Sequence, residues 1–144
     1  MANRLHVAAI QAQARDPVDF VRLDLEARRK RRHVFTTAGG ERVLLDWAKP
    51  PELKDGNGLE LSDGRVIEIR AEAEALIEIE TDDPVRIAWH LGNRHLPTQI
   101  VGARMRIRDD HVIAQMLDQL GCRLTRLAAP FDPEGGAYGH HHEH

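Results

Sequence analysis

Between Leu76 and Leu127 the hydrophobic pattern switches period in a fixed order, and this order restricts the fold more than any other feature of the chain. Leu76-Ile77-Glu78-Ile79-Glu80 reads as a strand. Thr81-Asp82-Asp83-Pro84 then supplies a helix start, with an acidic or hydroxyl cap and proline in the first turn. Ile87, Ala88 and Leu91 continue as a helical apolar stripe, which Gly92-Asn93 ends or loosens. Gln99-Ile100-Val101 and Arg104-Met105-Arg106-Ile107 flank a two-residue turn at Gly102-Ala103. Asp109 or Asp110 caps a second helix. Its expected buried face is Val112, Ile113, Met116, Leu117 and Leu120, and Gly121 closes it. Cys122–Leu127 is a last strand. The order β-α-β-β-α-β is that of the ferredoxin-like split βαβ pattern.

The preceding residues read differently. Val21, Leu23 and Leu25 alternate with charged residues, as in a half-buried strand. Ala38-Gly39-Gly40-Glu41 is a turn, and Val43-Leu44-Leu45 resumes an extended run. Pro50-Pro51 excludes a helix there. Ser62-Asp63-Gly64-Arg65 joins Leu59–Leu61 to Val66–Ile69 as a hairpin. Short strands and frequent turns predict a small all-β domain. The expected class is therefore α+β. An all-β N-terminal domain spans residues 1–73, a ferredoxin-like domain 74–134, and a flexible His-rich tail 135–144.

At 42% hydrophobic and 30% charged residues, the chain reads as globular. A net charge of −3 gives no global case for binding nucleic acid or an anionic membrane. No signal-peptide core and no stretch of transmembrane length is seen. The single cysteine, Cys122, excludes an internal disulfide and a Cys-based zinc site within one chain. These features point to the cytoplasm.

Chemistry concentrates in the histidines. Four of the nine, His140, His141, His142 and His144, fall in the last five residues. Neutral imidazole ligates nickel, copper and zinc. His95, if the first helix ran on, would share a stripe with Ala88 and Leu91. Spacing leaves it open between a core histidine with both nitrogens satisfied and a ligand. His90 and His95, five residues apart, would diverge by about 140° on a regular helix and would not grip one ion together. His111 falls in the first turn of the second helix, where the positive helix end disfavours imidazolium and keeps a ligand nitrogen available. Arg28–Arg32 is a run of five basic residues, either a solvated strand and turn or a surface for an acidic partner or nucleic acid. No aromatic residue interleaves with it as a base-stacking platform would need. Catalysis finds little support: Ser62 lies in a turn without a nucleophile-elbow context, and no phosphate-binding glycine loop is present.

Two blocks carry a resemblance. Gly92-Asn93-Arg94-His95-Leu96-Pro97-Thr98-Gln99-Ile100 resembles the Gly-Asn-Arg-His-x-Pro-x-Gln signature of the UreE urease accessory proteins, the nickel metallochaperones of urease maturation. Asp110–Leu117, followed by Pro130-Phe131-Asp132-Pro133-Glu134-Gly135-Gly136-Ala137-Tyr138, is similar to that family's second helix and tail entry. This lead-in also marks the histidine run as native and not a purification tag.

The resemblance implies a non-enzymatic carrier of Ni²⁺, with Zn²⁺ or Cu²⁺ as possible substitutes. It implies a homodimer in which His95 meets its symmetry mate and the two hold one ion. It also implies partners in the urease maturation GTPase and the urease assembly complex; from charge and composition, neither nucleic acid nor membrane is expected. Asp109 stands where some members carry a further histidine two residues before the position of His111. The expected metal residues are His95, His111, His140, His141, His142 and His144.

Overall fold

The computed structural model describes residues 5–135. The tail histidines His140, His141, His142 and His144 lie outside the described residues. The chain divides into two compact units between Glu72 and Ala73.

The first unit is mainly β. Its strands are β1 (Leu5–Gln11), β2 (Asp19–Leu23), β3 (Arg32–Thr36), β4 (Arg42–Asp46), β5 (Gly58–Leu61) and β6 (Val66–Ala71), with a one-turn helix α1 (Leu25–Arg28) between β2 and β3. They form one sheet in the order β2-β6-β5-β1-β4-β3. Val21, Leu23, Phe35, Val43, Leu59 and Ile69 lie in its apolar core. The hairpin expected at Ser62–Arg65 is present, with the Gly64 N–H donating to Leu61 O at 2.9 Å. Gly64 has φ +90°, a conformation that glycine adopts without steric cost.

Two expectations fail in this unit. Leu25 does not extend the strand of Val21 and Leu23. Asp24 accepts from the Ala27 N–H at 2.8 Å and turns the chain into α1, so Leu25 is buried from a helix. Arg28 is not part of a solvated basic run. It is fully buried, donating through Nε to Leu23 O at 3.2 Å and through Nη1 to Leu53 O at 3.3 Å. Its apolar stem packs inward while its fork finds acceptors in two backbone carbonyls, of which Leu23 O also accepts from the Glu72 N–H at 2.9 Å.

The second unit contains β7 (Ala73–Glu80), α2 (Pro84–Asn93), β8 (Gln99–Val101), β9 (Arg104–Arg108), α3 (His111–Gln119) and β10 (Arg123–Pro130). Its sheet order is β10-β7-β9-β8, and every neighbouring pair is antiparallel. Ile77, Ile79, Met105 and Ile107 share a core with Ile87 and Leu91 of α2 and with Ala114 and Leu117 of α3. Alternation along the strands decides what else is buried. Glu78, one residue out of phase with Ile77 and Ile79, is bound by Arg104 at 2.9 Å and Arg106 at 3.0 Å.

Both helices begin as the residues predict. Asp83 accepts from the Arg86 N–H with Pro84 in the first turn, and Asp110 accepts from the N–H groups of Val112 and Ile113. The apolar stripes are narrower than expected. Ala88 is exposed, and so are Val112 (60%) and Leu120 (40%). Each helix meets the sheet along one line, so Ala114 is buried while Val112 and Leu120 turn away from it. The last strand starts at Arg123 and runs on to Pro130, beyond the expected end at Leu127. Cys122 lies just before it, buried, and that burial raises its thiol pKa.

Candidate metal centre

His95 is neither on a helix nor in the core. After Asn93 the chain leaves α2 through a paired hydrogen-bond closure: His95 N–H donates to Gly92 O at 3.0 Å, and Leu96 N–H donates to Leu91 O at 3.2 Å. This is the Schellman arrangement, whose left-handed position usually holds glycine. Here it holds His95, at φ +55°. Leu91 is fully buried, and Leu96 packs against the same core, which fixes the exit from the helix. The result holds a histidine at a rigid corner with its side chain exposed. The core reading of His95 is therefore excluded, and its imidazole is left available to a ligand.

The tail root is tied to this corner. Glu134 N–H donates to Thr98 O at 2.8 Å, and Asp132 N–H donates to Gln99 Oε1 at 3.2 Å. Phe131 is fully buried immediately before them. The chain thus starts its last segment three residues along from His95. In the sequence, Thr98 and Gln99 stand out only as parts of a motif and a strand. Their anchoring role pairs residues more than thirty positions apart, which no local pattern reveals.

His111 is exposed at the start of α3. Asp110 beside it is used as the helix cap, and Asp109 is ion-paired with Arg126 at 3.5 Å. Leu96, Pro97, Ile107, Arg108, Asp109 and Asp110 line one cleft of about 320 Å³, so the segment after His95 and the turn before His111 are neighbours. Even so, no three His, Cys, Asp or Glu residues among the described residues come together as a metal site. The exposed surface of α2 is unusually apolar. Val85 is 80% exposed and Trp89 62%, one helical turn apart, and the Trp89 ring meets His90 edge-on at 5.1 Å. No helix among the described residues is long and apolar enough to cross a membrane.

Comparisons with known proteins place both halves of the chain. The family model described as the UreE urease accessory protein N-terminal domain matches residues 2–72, and that of the C-terminal domain matches residues 65–144. A urease accessory protein UreE from Bradyrhizobium sp. is 52% identical over 123 residues, covering 83% of this chain and 60% of the relative. One from Ruegeria sp. is 47% identical over 128 residues, covering 89% and 73%. One from Chelativorans sp. is 41% identical over 155 residues, covering 97% and 98%. The chain thus spans about 60% of the length of the Bradyrhizobium relatives and nearly all of the Chelativorans protein. With both halves matched in order, the chain belongs to the UreE family of urease accessory proteins.

Proposed function

We propose that this protein is a non-enzymatic nickel metallochaperone of urease assembly, and that it works as a homodimer whose two His95 side chains share one Ni²⁺. The observation that carries the reading is the lone exposed His95 on a rigid left-handed corner, with no second and third ligand gathered around it among the described residues. A two-fold axis through that corner supplies an identical imidazole, because a C₂ interface is self-complementary. The exposed Val85–Trp89 ridge on the helix leading to His95 offers apolar surface for such an interface.

Two imidazoles leave Ni²⁺ under-coordinated, and His140, His141, His142 and His144 complete the shell or collect the ion first. The anchoring of Glu134 to Thr98 supports this, since nine residues beyond Gly135 span at most about 30 Å. His111 is a peripheral ligand in this scheme. The second unit is read as a ferredoxin-like metal-binding domain over 74–134, the first as a partner-docking β domain over 1–73, and 135–144 as the arm. The receiving partners are the urease maturation GTPase and the urease assembly complex, in the cytoplasm. Zn²⁺ and Cu²⁺ suit the same imidazoles, so cargo identity rests on supply and release and not on affinity alone.

Calorimetric nickel titration of His95→Ala tests the site. The tight ion per dimer is expected to disappear, with weaker tail binding left. Retention of that tight ion would overturn the assignment. Because ligand imidazoles must be neutral, tight binding is also expected to weaken as the solution is made acidic.

A further inference from the structure

The basic run singled out in the sequence has no part in the metal site. Its first member, Arg28, is buried, but Arg29, Lys30, Arg31 and Arg32 are exposed and lead directly into β3. That strand is one margin of the six-stranded sheet and, among the described residues, pairs only with β4. The hydrogen-bond phase of this pairing shows which backbone groups remain. Trp47 N–H donates to Arg31 O at 2.9 Å, and Thr37 N–H donates to Glu41 O at 2.8 Å. With the register His33↔Leu45 and Phe35↔Val43, the odd-numbered residues of β3 are those bonded to β4. The N–H and C=O groups of Arg32, Val34 and Thr36 therefore point away from the sheet, and none has a backbone partner among the described residues.

The charge beside this edge is uneven. Arg31 and Arg32 share a single carboxylate, Asp46, at 3.9 and 3.3 Å. Arg29 and Lys30 have no ion-pair partner among the described residues. The four cations thus share one ion-paired carboxylate at the entry to an open strand of about 17 Å, with Asp24 the other carboxylate close enough to act on His33.

We propose that the open edge of β3 docks an acidic, extended peptide segment of a partner protein by strand addition. Main-chain bonds to Arg32, Val34 and Thr36 provide the pairing, and the cations Arg29–Arg32 select the charge of the partner. Cations on an edge also repel a second copy of the same edge, so they disfavour self-pairing while favouring an acidic strand. A nucleic acid would satisfy the cations and leave the backbone groups unpaired. Phe35 of β3 is buried and presents no stacking surface, and the His33 ring beside it is half-buried.

The test uses the full chain and a fluorescent peptide of about eight residues alternating Asp or Glu with Val, followed by anisotropy. Binding is expected at low salt. The double variant Arg29→Glu, Lys30→Glu should weaken it by about tenfold or more, with an unchanged thermal melt. The same peptide N-methylated at alternate residues keeps its charge but loses its donors, and should not bind. Amide exchange at Arg32, Val34 and Thr36 should slow when the unmodified peptide is added. Equal binding of the N-methylated peptide, equal binding of the double variant, or displacement by a single-stranded oligonucleotide of equal charge would each overturn the proposal.

Discussion

At the scale of single residues, His95 is the informative position because its backbone is costly. A side chain with a Cβ in the left-handed region is disfavoured by about 1–2 kcal/mol relative to glycine. The neighbouring helix shows the less strained solution. It closes through the same bond pair, Gly121 N–H to Asp118 O and Cys122 N–H to Leu117 O, with Gly121 at φ +84° in the left-handed position. Nothing in the closure itself requires an imidazole. Replacing His95 by glycine relieves the strain but adds unfolded-state entropy, which offsets part of the gain. His95→Gly is therefore expected to raise stability by about 0.5–1 kcal/mol in urea denaturation of the metal-free protein. The same variant should lose the tight nickel ion. A fall in stability would show that His95 is held by packing and not by its chemistry.

At the scale of elements, the ion pairs on β7 and β9 make a pH prediction. Glu78 lies directly across from Arg106, and its side chain is 15% exposed. Hydrogen bonds from Arg104 first and Arg106 second hold its carboxyl below the usual glutamate range. A depressed folded pKa stabilises the native state above the unfolded value, and that stabilisation is lost as pH falls through the folded value. Glu78→Gln is thus expected to be less stable than wild type at neutral pH. The gap should close as pH drops below the ordinary glutamate value of 4.5. Urea midpoints measured across that range check it, and a gap that stays constant would assign the loss to packing.

Some elements were legible because their signals are local. Asp83-Pro84, Asp110 and Gly121 mark helix ends by chemistry that acts within one turn. The turn at Ser62–Arg65 was read for the same reason. What failed depends on distant partners. Periodicity marks Val112 and Leu120 as apolar but does not say that they end up on the exposed side of the helix. Arg28 looks like its four basic neighbours in the sequence, whereas the carbonyls of Leu23 and of the distant Leu53 accept from it in the core. Of the site, the identity of His95 was legible through its motif, but its exposure was not. Extending the helix past Asn93 put it on the buried stripe, whereas one left-handed residue turned it outward.

At the scale of the whole molecule, the proposed function divides nickel handling between a fixed corner and an attached arm. The arm leaves from Glu134, whose backbone is bonded to Thr98, so its root is held beside the corner at no further entropic cost. Deleting residues 136–144 removes four imidazoles per copy but leaves Phe131, Asp132 and Glu134 to keep that root in place. If the arm mainly supplies the corner, the truncated protein should bind fewer ions per dimer in equilibrium dialysis. The affinity of the first ion should then change by less than about tenfold, or 1.4 kcal/mol. If the arm instead supplies ligands that the first ion cannot do without, truncation should abolish the tight step as completely as His95→Ala. The two outcomes separate a corner that binds by itself from one assembled only when the arm folds back. Tethering the arm three residues along from His95 makes either geometry reachable, so the titration, and not the reach of the chain, decides between them.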